Sequence, residues 1–447
     1  MNSPSAIEGG KSPAPWVKLS FDRLRASQFG RHVVVLTGGT VVGRAITAAA
    51  IPLLSRLYTP ADFGVLAVFF SLATTLITVS CLNYEAAIPL PKDDQSGFSV
   101  MSVSCIVLLF TTGLCSVGVI LYGQRIVRLV HTPQLGPYMW LLPINVFGGG
   151  FFAILNWWAI RVQAFRSLAK RRVAQSACQV ITQLSVPVFT RGPFGLLLGD
   201  SAGDAGGITL LAADTVRYLK SHALHFPAHN LVEVARRYKK FPTFGLASVF
   251  VHTGFSVLPA FLLTRLYGLE ETGWYGLVNQ MLVVAAGLIG LAIAQVYLSN
   301  AAQLAHSAPL KLRSLFFRTS RIAFLLSLLP AAILILLGPP LFAFVFGARW
   351  AEAGKYAQLL AIPFLVMLTV GPVYPTLTVL ERLDWQFIAD LIGLVVMIAG
   401  MSYVHKLGLS GRWAVGAYGL SVLVTYGLLF GFAWLAIQLR CRQARTS

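Results

Sequence analysis

The chain has 447 residues, of which 56% are hydrophobic and 11% charged, with a formal net charge of +19. A soluble domain carries roughly 25% charged residues, so the composition excludes a water-solvated globule and selects a polytopic membrane protein. The positive charge needs no nucleic acid, because basic loops beside anionic head groups account for it. The five cysteines show no C-x-x-C spacing, which argues against a disulfide framework and a zinc site.

Residues 1–31 are polar and basic and read as a cytosolic N-terminal tail. They are not a cleaved signal peptide, since the apolar run holding "AITAAAI" continues and further spans follow. Apolar windows of about 20 residues, enough to cross a ~30 Å hydrocarbon core as a helix, then recur at 33–55, 63–83, 97–121, 138–160, 173–191 and 194–214. The fifth window carries Gln175, Gln179 and Gln183 along one face, and the sixth contains Asp200 and Asp204. A polar stretch at 215–243, with "RRYKKFP", reads as a cytosolic linker. Six more windows follow at 244–264, 274–298, 315–337, 356–380, 386–404 and 414–438, before a tail at 439–447. The expected fold is all-α, with twelve transmembrane helices in two six-helix bundles, 32–214 and 244–438.

With twelve spans both termini share a side, and 25 of the 35 lysines and arginines fall there. Nine lie opposite, and Arg44 sits inside the first helix. Positive charge accumulates on the cytosolic side, so both termini are expected in the cytosol. The phrase "LLSRLY" at 53–58 returns as "LLTRLY" at 262–267, followed by "TPADFGVLAV" and "GLEETGWYGL". Six helices separate the copies, which places both at the outer end of a first helix. The halves therefore read as parallel repeats about an axis along the membrane normal. Two such bundles rocking about a site between them form an alternating-access carrier.

"PLLSRLYTPADFGVLAVFFSL" (52–72) followed by "NYEAAIPLPKDD" (83–94) resembles the first hairpin of Wzx-type polysaccharide flippases, members of the multidrug/oligosaccharidyl-lipid/polysaccharide exporter superfamily. "WWAIRVQAFRSLAKRRVAQS" (157–176) resembles their basic fourth loop. "RRYKKFPTFGLAS" (236–248), "GWYGLVNQMLVV" (273–284), "IAQVYLSNAA" (293–302) and "FAFVFGARWAEAGKYAQLLA" (342–361) continue the likeness in order. The resemblance implies a non-enzymatic carrier that moves undecaprenyl-diphosphate-linked oligosaccharide repeat units to the outer leaflet of the bacterial inner membrane, for O-antigen, capsule or exopolysaccharide. It implies membrane lipids, a polysaccharide polymerase and chain-length proteins as partners. One chain supplies both bundles, so a monomer suffices. The sixth window departs from the pattern by its acids.

Carrying a diphosphate and sugars through hydrocarbon requires a polar cavity, since each unsatisfied polar group costs several kcal/mol there. Arg44 is the leading anion ligand: a charge in mid-helix costs about 3 kcal/mol and must face the interior with a partner. That partner is either substrate or a carboxylate, Asp200 or Asp204. Arg161 and Arg166 lie at the cytosolic entrance, as phosphate ligands or as topology signals. Asn279, Gln280 and Gln295 can bond sugar hydroxyls or join helices. Arg56 and Arg265 are rim residues, gating or snorkelling to head groups, with Glu85 as a further gate candidate. Asp200, Asp204 and Asp390 are candidates for H⁺ or Na⁺ coupling, and the membrane potential is a second drive. No cofactor is expected. Gly39 and Gly43, and Gly199, Gly203 and Gly207, read as close helix contacts.

A polymerase or glycosyltransferase would need acids or histidines in sizeable outer loops, where only Asp62, Glu270, Glu271 and Glu352 occur. His222, His225 and His229 imitate a metal cluster without a carboxylate or thiol to complete it. Two relatives within the superfamily stay open. A multidrug antiporter would favour an acidic cavity, which Arg44 opposes, and a peptidoglycan-precursor exporter would usually have 14 spans.

Overall fold

The computed structural model describes residues 28–226, 230–307 and 309–446. The expected N-terminal tail, apart from its last residues, and His229 lie outside the described residues. The helices of twenty residues or more are α1 (Gln28–Leu57), α2 (Pro60–Ser80), α3 (Asp94–Leu129), α4 (Leu141–Arg161), α5 (Phe165–Ser185) and α6 (Phe194–Ser221) in the first half. In the second they are α7 (Leu246–Tyr267), α8 (Leu269–Ser307), α9 (Pro309–Phe346), α10 (Ala351–Val370), α11 (Leu383–Lys406) and α12 (Gly411–Thr446). The described residues form no strand. Nine of these helices, all but α5, α6 and α8, are long and apolar enough among the described residues to cross a membrane.

Local chemistry sets the boundaries. In "TPAD" Thr59 and Asp62 form a reciprocal capping box on the first turn of α2, with Pro60 at its first position. Asp93 caps α3 through the Ser96 amide at 2.8 Å. The tenth window was expected to run to 380, but α10 stops at Val370, since Pro372 and Pro375 cannot continue the backbone ladder. A short helix, Thr376–Val379, completes the stretch. The fifth was expected at 173–191; α5 instead starts at Phe165, taking Arg166, Lys170, Arg171 and Arg172 into its first turns. It ends at Ser185, before Pro187. Helix α6 runs on to Ser221, so the charged connection is shorter than 215–243 and holds a helical turn at Leu231–Arg237. Hydropathy stops where charges begin, whereas a helix continues into water if its backbone bonds are kept.

The packing repeats with an offset of six. Helix α5 packs on α1 and α6, α4 on α2, α3 and α6; correspondingly α11 packs on α7 and α12, and α10 on α8, α9 and α12. The halves meet where α2 crosses α7 and α8, and where α1 crosses α8 and α9. Among the described residues an apolar core joins them at one end. It draws Ile51, and Leu54 and Tyr58 from the first copy of the repeated phrase, together with Leu263, Tyr275, Phe346 and Trp350. At the other end each half keeps a core of its own, around Ile88 and Trp158 in the first and Tyr297 and Phe316 in the second.

The joined end is also hydrogen-bonded. Trp350 Nε1 donates to the Ser55 carbonyl at 2.9 Å, Ser55 Oγ to the Phe346 carbonyl at 3.1 Å, and Arg349 to the Arg56 carbonyl at 3.0 Å. The equivalent glycines of the two phrases, Gly64 and Gly273, let α2 and α8 touch backbone to backbone. A Cβ on Gly64 would lie 2.1 Å from the Leu269 carbonyl oxygen, and one on Gly273 would lie 1.7 Å from that of Pro60. Overpacking of this kind costs about 1–3 kcal/mol. Gly273→Ala is expected to lower the thermal midpoint and to make a cysteine placed at buried Ser55 accessible to a thiol reagent; unchanged melting and labelling would contradict the close crossing.

Candidate substrate cavity

A cavity of about 370 Å³ lies between the halves, walled by α1, α2, α5, α6, α7 and α8. Two arginines line it, Arg44 of α1 and Arg172 of α5, close enough to feel each other's charge. Four amides, Gln175 and Gln179 of α5 and Asn279 and Gln280 of α8, line it with Asp200 of α6. Phe63, Leu66 and Phe70 of α2 supply an apolar wall. Two cations against one carboxylate leave the lining net positive.

Arg44 donates from Nη1 to the Val283 carbonyl of α8 at 2.6 Å, so it ties one half to the other and does not pair with Asp200 or Asp204. Gly287, one turn on, makes room: a Cβ there would fall 2.0 Å from Arg44 Nη1. Asp204 accepts from Gln175 Nε2 at 2.7 Å. Below it Arg171 is 1% exposed, stacked on the Phe152 ring, with none of its guanidinium nitrogens hydrogen-bonded. Gly199, Gly203 and Gly207 lie against Gln183, Gln179 and Arg171, which keeps α5 and α6 in close contact. Gly39 and Gly43 similarly abut Ala169 and Arg172 of α5.

The other expected residues lie elsewhere. Arg161 closes the 88–94 turn: it pairs with Asp94 at 3.0 Å and donates to the carbonyls of Ile88, Pro91 and Asp93 at 3.0, 2.9 and 2.7 Å. Arg166 is exposed in the first turn of α5, and Arg56 and Arg265 are exposed at the joined end. Asp390, 6% exposed inside the second half, accepts from His252 Nδ1 at 3.1 Å, away from the cavity. Gln295 lies outside the described side chains. Glu85 sits in the turn after α2, where Tyr84 reaches the Ala235 carbonyl at 3.1 Å. Its Oε2 is buried without a partner, and burial pushes its carboxyl up to about 7. His222 stacks on Tyr218, and the described residues hold no group of three or more His, Cys, Asp or Glu arranged for a metal.

Arg172 is the cavity residue that sequence reading assigned to a loop. Its signal was present: 172, 175, 176 and 179 fall at helical spacing, and the glutamine face of α5 extends one turn back into it. The hydropathy window excluded that turn because it is charged.

The architecture defines a class, a two-halved all-helical membrane protein with a polar cavity between the halves, and solved structures share its fold. A multidrug resistance MATE family transporter of the MOP superfamily, in an inward-facing conformation, superposes with a TM-score of 0.64 at 14% identity, covering 92% of this chain and 96% of that one. The lipid II flippase MurJ, in an inward closed conformation, gives 0.70 at 12% identity over 91% and 90%. A MOP superfamily transporter from Pyrococcus furiosus gives 0.58 at 12% over 92% and 96%. No curated protein matches the sequence significantly. The chain matches the family described as "Polysaccharide biosynthesis protein" over residues 53–355 and belongs to it.

Two predictions separate structural from cavity groups. Arg161→Ala should lower stability by about 2–3 kcal/mol by freeing a partly screened carboxylate and three carbonyls, whereas Arg172→Ala should melt like the parent and lose affinity for diphosphate lipid. Thermal melts beside a lipid-binding titration check this. Glu85 has its folded-state pKa raised from 4.5 to about 7. Its contribution is therefore full below about pH 4.5 and is lost as pH rises through about 7, worth about 3 kcal/mol by linkage. Glu85→Gln should flatten stability between pH 5 and 8, as measured by thermal midpoint; an unchanged slope would contradict its burial.

Proposed function

We propose that this protein flips polyprenyl-diphosphate-linked oligosaccharides from the cytosolic to the outer leaflet of the bacterial inner membrane, as Wzx-type flippases do, supplying O-antigen, capsule or exopolysaccharide synthesis. The observation that carries the reading is the cavity itself, in which Arg44 and Arg172 converge among four amides between two halves. Guanidinium pairs suit a diphosphate, which they bind through charge-assisted, bidentate bonds, and amides suit sugar hydroxyls. A volume of about 370 Å³ accommodates the diphosphate and the first sugar. Further sugars extend into the gap between the separate cores, and the polyprenyl tail stays in lipid.

In this reading α5, α6 and α8 cross the membrane with the other nine, and the two halves, expected at 32–214 and 244–438, are the moving bodies, joined through the cytosolic connection that follows Ser221. Both termini are cytosolic, which makes the joined end of the halves the outer gate and the described conformation inward-facing. Arg56 and Arg265 flank that gate. A diphosphate moving outward descends an inside-negative potential, worth about 2.3 kcal/mol per charge per 100 mV. Asp200, Asp204 and Asp390 are the carboxylates available to couple an inward proton. A polymerase and chain-length proteins on the outer side would consume the product.

The cationic lining favours an anionic lipid over the organic cations that a multidrug antiporter exports. The test is a deletion strain, in which the lipid-linked repeat unit should accumulate in the cytosolic leaflet. Complementation with Arg44→Ala should leave it there, as read by outer-leaflet labelling of the glycan. Normal outer-leaflet levels in the Arg44→Ala strain would remove the assignment.

A further inference from the structure

A second cavity, of about 270 Å³, opens where the turn between α10 and α11 meets the last turns of α12, at the end of the second half remote from the joined core. It is lined by Leu380, Glu381, Arg382, Ala436, Leu439 and Arg440. We propose that this cavity holds the phosphoryl group of an anionic phospholipid, a site separate from the one that carries substrate.

Three features converge on that ligand. Arg382 and Arg440 come from segments far apart in sequence, yet border one small space. Neither takes part in the ion pairs of the described residues. Glu381 offers a single carboxylate against two guanidiniums, so the lining keeps a positive balance that a monoanionic phosphodiester neutralises. Paired guanidiniums present the planar, bidentate donors that phosphate oxygens accept.

The local backbone builds the site. The helix Thr376–Val379 ends in a left-handed residue, Glu381, at φ +58°. There the amides of Glu381 and Arg382 return to the carbonyls of Thr378 and Leu377 at 3.1 and 2.8 Å. This tight stop turns two consecutive charged residues to the cavity edge. The Arg382 guanidinium lies 5.0 Å from the Trp385 ring centroid, and that ring packs on Phe432 of α12 at 5.6 Å, which fixes the cation against the helix pair.

The surroundings are those of a lipid and not of a free ion. Leu383, Trp434 and Leu435, next in sequence to lining residues or within two positions of one, are 57%, 41% and 45% exposed. They give acyl chains an apolar wall beside the head group, and tryptophan is a residue enriched at membrane–water interfaces. Basic pockets between helices on the cytosolic side suit anionic head groups, because that leaflet carries the negative surface potential.

The experiment uses the purified full chain and follows its thermal midpoint during titration with phosphatidylglycerol, phosphatidylcholine or inorganic phosphate. Phosphatidylglycerol should raise the midpoint of the parent and of Arg44→Ala alike, and the other two should not. The double variant Arg382→Gln/Arg440→Gln should lose at least about tenfold in apparent affinity for phosphatidylglycerol. Arg382→Lys/Arg440→Lys, which keeps charge without the fork, should fall between, and it carries the test if the glutamine variant does not fold. An undiminished response in the glutamine variant, or in the lysine variant where it stands alone, would overturn the site. So would loss of the response in Arg44→Ala, which assigns it to the central cavity. An equal response to inorganic phosphate would overturn the lipid in favour of a free anion, and an equal response to phosphatidylcholine would remove the charge recognition.

Discussion

A guanidinium cannot sit in hydrocarbon without something to hold it, and the arrangement of the two halves follows from that cost. Arg44 in mid-helix would be expensive at any face of α1 turned toward lipid. The structure turns it inward, where the Val283 carbonyl of the opposite half accepts its proton. That bond is made to a carbonyl already engaged in a helix, so it satisfies the cation incompletely. In the proposed function, an anion arriving in the cavity would offer Arg44 a stronger partner and release the contact between halves, so that binding and loosening of the interface would be the same event.

The complement of this polar centre is the apolar core at one end. Tyr58, Phe63, Tyr275, Phe342, Phe346 and Trp350 pack across the two halves there with Ile51 and Leu54 of α1, and paired glycines bring α2 and α8 into backbone contact. At the other end the cores are separate. A molecule built in this way closes on one side by burial of apolar area and stays divided on the other. In the proposed alternating-access cycle it would exchange one hydrophobic contact for another, a change in which dispersion and water release at the two ends nearly offset each other. A bound ligand or the membrane potential would then decide the balance with a few kcal/mol.

Much of this was legible in the sequence, for physical reasons. Helix existence follows from apolar length, and the repeated "LLSRLY/LLTRLY" phrase marks equivalent positions, because both copies perform the same packing task at the seam. Arg44, Asn279 and Gln280 stood out as polar groups inside apolar windows, and all three line the cavity. What hydropathy obscured were helix ends that carry charge. The first turns of α5 are as helical as the rest, but Arg171 and Arg172 made them look like loop, so a cavity arginine was assigned to topology. Arg161 is the converse case. A cytosolic arginine reads alike whether it meets substrate or closes a turn, and the carbonyls that claim it are brought to it only by the fold.

The claim beneath all of this is that the space between the halves is wet, cationic and occupied by a lipid diphosphate during transport. Its most direct measurement is modification of a cysteine placed at Asn279, in protein otherwise free of cysteine, by a membrane-impermeant thiol reagent in the presence of polyprenyl-diphosphate glycan. The account predicts ready modification of the empty carrier and protection by the diphosphate lipid, with a monophosphate analogue protecting more weakly. A cysteine that stays unmodified in the empty carrier, or that reacts equally fast at saturating diphosphate lipid, would contradict it.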